Sequence, residues 1–276
     1  MKAVIEAAGR RRNAGARAAR LLLGAWAVLL AGGCSGRSKD AVPAFGPEGD
    51  FQAAVREFER GDMAAAIAAF ETFERNHPGS QYIDDALFYL GRAHQTTREY
   101  LLARQAFERL AEDFPRSPFV EDAHFEIAHS WYLAVRGAEL DAEPAEEALR
   151  SYRTYLRRYP EGKHRAQAEE AIADLLGTLA RKSYLNGQTY MRLGRPEAAR
   201  RYFEKSLEIW EQAPVSAQAL AGIARSYEKE MNWAEARRAY ERLAAHLGEQ
   251  PDRFADGKNL AGEARKKLAS LPAGGD

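Results

Sequence analysis

The sequence of 276 residues holds a single cysteine, Cys34, which excludes an internal disulfide framework and any cysteine-rich zinc site. It has no surplus of one charge: 40 Lys and Arg stand against 40 Asp and Glu, unlike a chain that grips nucleic acid mainly through positive charge. Phosphate-cradling glycines are missing as well. Gly162-Lys163-His164 lacks the upstream glycines of a phosphate loop, and no Gly-x-Gly-x-x-Gly follows a strand pattern. There is no Gly-x-Ser-x-Gly elbow, and Cys34 is the single cysteine, so acyl transfer lacks an obvious nucleophile. His124 and His129 are five residues apart, roughly 140° around a helix, whereas a helical zinc pair needs a spacing of four. The sequence is therefore expected to have no catalytic residues, no metal and no cofactor.

The balanced charge hides an asymmetry. Six bases and one acid precede Leu21, and the remainder carries 34 bases against 39 acids. After the basic segment, Leu21 to Ala31 form an apolar run of 11 residues, followed by Gly32 and Gly33. This is the order of a secretory signal peptide, and the run is too short to span a bilayer. No other apolar run approaches about 18 residues, so no transmembrane segment is expected in the mature chain. The stretch Leu-Leu-Ala-Gly-Gly-Cys-Ser resembles a bacterial lipoprotein signal, with Ala31 where Leu or Val is usual. That resemblance implies cleavage before Cys34 and covalent lipid on its thiol, and Ser35 after it resembles an outer-membrane destination. Several acyl chains hold firmly, each buried CH₂ contributing about 0.8 kcal/mol.

Residues 34–50 are rich in Gly, Pro, Ser and charge without periodicity, and read as a flexible tether. From Phe51 onward apolar residues recur at helical spacings and strand-like alternation nearly vanishes. The pattern repeats. Ala66, Phe70 and Pro78 recur as Ala103, Phe107 and Pro115, a constant step of 37 residues. Ala148, Tyr152 and Pro160 form a third copy after an acidic insertion between Tyr132 and Pro144. Ala199 with Phe203, and Ala236 with Tyr240, begin a fourth and a fifth. A small residue lets another helix approach, an aromatic four positions later fills the adjoining space, and the proline ends the helix.

The intervening helices, such as Asp85–His94 and Asp122–Trp131, align with the first helix of a tetratricopeptide repeat, Leu90-Gly91 and Ile127-Ala128 being the close-approach positions. The expected fold is all-α: a right-handed α-solenoid of about five tetratricopeptide-like helix pairs over residues 51–247, with local cores between neighbouring pairs. Residues 1–33 are the lipoprotein signal peptide, and 248–276 a capping helix, around Asn259–Leu268, with a disordered tail. Residues 164–193 contain no proline and, if helical throughout, make an unusually long helix, with Gly177 and Gly187 as weak points.

Order and spacing together resemble a known family. The segments CSGRSKDAVP, HPGSQY, FPRSPF, ALRSYRTYLRRYP and LARKSYLNGQTYMRLGRPEAARRYFEKSL resemble the BamD family, outer-membrane lipoproteins of the β-barrel assembly machinery, over residues 30–245. The resemblance implies a lipid-anchored scaffold in the outer membrane, facing the periplasm. Its implied partners are unfolded outer-membrane β-barrel proteins, a BamA-type barrel subunit and other assembly lipoproteins, and no nucleic acid. It also implies a basic docking residue, answered here by Arg200 and Arg201. The alternative is a tetratricopeptide envelope lipoprotein that coordinates cell division or peptidoglycan complexes.

First helices of tetratricopeptide pairs line a concave face, and that alignment gives candidate peptide-groove residues. They are Phe51, Val55 and Phe58 on the first pair, Phe88, Arg92 and Gln95 on the second, and Phe125, His129 and Tyr132 on the third. Exposed aromatics beside one arginine suit an extended peptide rich in aromatics that carries a carboxylate.

Overall fold

The computed structural model describes residues 46–135, 143–248, 251–254 and 256–272. The signal peptide, Cys34, most of the tether, the centre of the acidic insertion and the last four residues lie outside them. The described residues form eleven α-helices and no strand. Five pairs follow in chain order: α1 (Pro47–Arg60) with α2 (Met63–Asn76), α3 (Ile83–Thr96) with α4 (Tyr100–Asp113), and α5 (Val120–Val135) with α6 (Glu143–Arg158). Then come α7 (Arg165–Arg192) with α8 (Pro196–Ile209), and α9 (Ser216–Lys229) with α10 (Trp233–Leu247). A 3₁₀ turn at Pro251–Arg253 leads to α11 (Gly257–Ser270). Each helix packs chiefly against its neighbours in the chain, as a helical repeat solenoid requires.

Helix α1 starts inside the segment read as tether. Pro47 stands in its first turn, where a missing N–H costs nothing, and Glu48 and Asp50 face the positive end of the helix dipole. Gly61 ends it at φ 82°, and Asp62 caps α2 by accepting from the Ala65 N–H at 3.1 Å. Likewise α5 runs to Val135 and α6 starts at Glu143, so both ends of the expected insertion loop are helical.

The repeated small and aromatic positions are the packing code. Ala66, Ala103, Ala148, Ala199 and Ala236 are fully buried, and Phe70, Phe107, Tyr152, Phe203 and Tyr240 are no more than 2% exposed. A Cβ added at Gly91 would lie 2.6 Å from the Phe107 ring, so glycine is what lets α3 approach α4. Burying one such ring contributes about 1.5–3 kcal/mol. The buried side chains separate into three clusters along the chain. The expectation of local cores rather than one interior follows from that division.

The turns between pairs reuse the Pro-x-Ser motif unevenly. Ser80 and Ser117 accept from the N–H two residues on, of Tyr82 and Phe119, each at 3.2 Å. In the third turn Gly162 replaces the serine, and Tyr155 accepts from the His164 N–H at 3.1 Å while donating to Glu121 at 2.9 Å. Burial and the Glu121 and Asp122 carboxylates push the Tyr155 hydroxyl up to about 12, although its bond from the His164 N–H pulls the other way.

Helix α7 is continuous over 28 residues, about 42 Å at 1.5 Å per residue. Its glycines do not break it, because each serves close packing: a Cβ added at Gly177 would lie 3.3 Å from Trp210, and one at Gly187 2.5 Å from Phe203. Its first half packs into one cluster through Ala168, Ala171 and Leu175, and its second half into the next through Tyr184, Tyr190 and Met191. After α10, helix α11 lays Leu260 and Ala264 over the last cluster, two residues longer at each end than expected.

Candidate polypeptide-binding groove

Two of the expected groove aromatics belong to the interior. Phe51 is 6% exposed, stacked on Tyr82 at 5.2 Å and tilted against Phe70 and Phe73. Phe125 is 7% exposed, stacked on His164 at 4.3 Å and edge-on to Tyr155. The reason is geometric. Each ring points to its own second helix and to the start of the following pair, Phe51 to α2 and Tyr82, and Phe125 to α6 and His164, so the apolar arc is wider than one stripe and takes these rings inward.

Gln95 is buried as well, the remaining positions are half-buried or exposed, and most are engaged. Phe58 meets Tyr89 edge-on at 5.3 Å, and Phe88 stacks on Phe119 at 4.8 Å. The Arg92 guanidinium donates to Glu126 Oε1 at 3.0 Å. Gln95 donates to Glu126 Oε2 at 2.8 Å and to Ser130 Oγ at 2.9 Å. His129 lies parallel to Tyr132, with Nδ1 at 3.2 Å from the Tyr152 hydroxyl, and Tyr132 donates to Asp174 at 2.8 Å. Burial holds the His129 imidazole below its ordinary pKa and, with the Glu126 charge, raises the Tyr152 hydroxyl well above its own. The face is therefore a polar lattice set among aromatics, with Glu126 at its hub. Sequence reasoning missed Glu126. Its signal was a carboxylate in mid-helix between Phe125 and Ile127.

The two docking arginines differ sharply. Arg200 is largely buried: it donates to Glu230 at 2.7 Å and lies 4.1 Å over the Tyr227 ring. Arg201 is exposed and, among the described residues, pairs only with Glu197, one turn away at 2.7 Å. Arg200 is thus a bolt between α8 and α9, and Arg201 alone has a guanidinium turned to solvent.

Between α7 and α9 lies a cleft of about 270 Å³, which sequence reasoning also missed. Phe203 of α8 forms its floor, held between Gly187 and Gly222, whose added Cβ atoms would meet the ring at 2.5 and 2.6 Å. Tyr184, Gln188 and Arg192 line one side, and Gln218 and Arg225 the other. The readable signal was a pair of glycines, one on each first helix flanking an aromatic second-helix position.

Among the described residues no group of His, Cys, Asp or Glu is arranged to hold a metal, and no helix is long and apolar enough to cross a membrane.

The comparisons fit this architecture. Outer membrane protein assembly factor BamD of Caulobacter vibrioides is 25% identical over 207 residues, covering 73% of this chain and 68% of that protein. BamD of Helicobacter pylori is 25% identical over 166 residues, covering 59% of this chain and 74% of that protein. Among solved structures, a thermophilic tetratricopeptide protein of Thermus thermophilus aligns with 81% of this chain at 17% identity and a TM-score of 0.35, too distant to carry an argument. A family model described as YfiO, outer membrane lipoprotein, matches residues 46–243, from the start of α1 into α10. The chain belongs to the YfiO family of outer membrane lipoproteins.

Proposed function

We propose that the protein is an outer-membrane protein assembly factor, a non-catalytic scaffold of the β-barrel assembly machinery that holds polypeptides on its repeat faces. The observation that carries this reading is the family match across residues 46–243, with both curated relatives named as assembly factors. The finer parts of the reading are these. Cys34 carries the lipid that moors the chain in the outer membrane, with the repeats in the periplasm. Unfolded β-barrel proteins meet the first-helix face of the N-terminal pairs around Arg92, and a BamA-type barrel subunit meets the C-terminal pairs around Arg201, together with other assembly lipoproteins. The exposed part of Arg92 and the solvent-facing Arg201 support these roles, since each sits where a carboxylate can reach it.

Copurification tests the reading. The mature protein, extracted in mild detergent, is expected to bring down a BamA-type barrel subunit. Recovery of division or peptidoglycan complexes in its place overturns the assignment.

A further inference from the structure

Consecutive first helices, with α11 as the last, meet along seams, and nearly all of these are bridged. Phe58 on Tyr89 ties α1 to α3. Glu126, with Arg92 and Gln95, ties α3 to α5, and Tyr132 with Asp174 ties α5 to α7. Arg225 with Glu263, and Lys267 with Glu228 at 2.7 Å, tie α9 to α11. The seam between α7 and α9 is the exception: among the described residues no hydrogen bond, ion pair or ring stack joins the two helices. It opens instead into the cleft floored by Phe203.

The lining has a definite chemistry. The floor is the Phe203 ring, which fills the space left by the two glycines and so lies close against both helix backbones, an apolar surface open to a guest side chain. A cavity of about 150 Å³ accepts benzene, and this one is larger, at about 270 Å³. Two amides face it. Gln188 donates to its neighbour Tyr184 at 2.5 Å, keeping its carbonyl oxygen free to accept, and Gln218 has no hydrogen-bond partner among the described residues. Two cations stand at its walls and no carboxylate lines it. Arg225 is engaged by Glu263, whereas among the described residues Arg192 bonds only the Thr189 hydroxyl, at 3.1 Å.

We propose that the α7–α9 cleft seats one aromatic side chain of an extended partner polypeptide, next to an acidic side chain that pairs with Arg192. Gln188 and Gln218 grip the partner's backbone, one accepting and the other donating. An aromatic ring matches the floor, and an acidic neighbour matches a wall with positive charge and none negative. The inference deepens the reading of the chain as a holder of polypeptides and rests on it. It assigns that task to a seam of the C-terminal pairs, away from Arg92 and from Arg201.

The test is fluorescence anisotropy with the full chain in mild detergent. The probe is a labelled, amidated peptide, Gly-Ser-Gly-Ser-Phe-Asp-Ser-Gly-Ser-Gly. Replacing its Phe by Ala, or its Asp by Asn, is expected to weaken binding by about tenfold. The double variant Arg192→Glu, Gln218→Ala is expected to weaken it at least as much, with an unchanged thermal melt, because both side chains sit at the rim. No detectable binding of the unmodified peptide, or equal affinities across the series, overturns the proposal. Loss on Arg92→Glu with the double variant unaffected also overturns it, by putting the peptide on the N-terminal pairs. A negative peptide result leaves copurification of the barrel subunit untouched, and failed copurification leaves the peptide result standing.

Discussion

A glycine facing a ring sets the spacing of this fold more tightly than any charge. At Gly187 a Cβ would meet Phe203 at 2.5 Å, and the same ring is confined on its other edge by Gly222, so it cannot swing away. Gly187→Val is therefore expected to destabilise the protein by about 1–3 kcal/mol, read as a lower denaturant midpoint. Two histidines are expected to make the fold sensitive to acid. Burial lowers the pKa of His124 and of His129 below the ordinary 6.5, a nearby arginine adding to the effect in each case, while the Val120 carbonyl and Glu126 respectively oppose it. Folding thus favours their neutral forms, and the folded chain binds fewer protons than the unfolded one as pH falls. Their contribution is complete above pH 6.5 and fades below it. Thermal melts from pH 7.5 to 5 should fall, and His129→Gln should flatten that fall; an unchanged slope would contradict this assignment. At this scale the small and aromatic repeat positions were legible, because a spacing of four fixes them on one helical face. The groove aromatics were only partly so. A sequence gives the direction of a side chain around its helix, but not how many neighbouring helices share that arc, and Phe51 and Phe125 were decided by the neighbours.

Helix α7 is the element that makes the two halves of the repeat array one piece, because its ends belong to different buried clusters. Its continuity was not legible, since Gly177 and Gly187 read as weak points until Trp210 and Phe203 are seen against them. The start of α1 was missed for a related reason. Pro47 and Gly46 look like tether, yet a proline in the first turn followed by Glu48 and Asp50 is a helix start. At the other end, α11 covers apolar surface that a last repeat otherwise leaves bare. Leu260 is 3% exposed in that contact. Leu260→Ala is expected to cost about 2–5 kcal/mol in chemical denaturation, with the loss of hydrogen-exchange protection concentrated in α9 and α10. Equal loss across α1 to α4 would argue that the clusters are not independent.

At the scale of the whole molecule, the array is a row of local cores whose buried clusters follow one another along the chain. Repeat order and the family resemblance made this architecture readable from the sequence, whereas the α7–α9 cleft arises from two helices with the whole of α8 between them in the chain and has no contiguous motif. Membrane attachment is a separate claim. Cys34→Ser is expected to move the protein from the membrane pellet to the soluble fraction, and persistent sedimentation with membranes would count against lipid mooring. The central claim, service to β-barrel assembly, is tested most directly by depleting the protein from its own cells and following a newly made outer-membrane β-barrel by its heat-modifiable gel mobility. The account predicts that the folded, fast-migrating form fails to accumulate and returns when the protein is resupplied. Normal conversion to that form in depleted cells would contradict it.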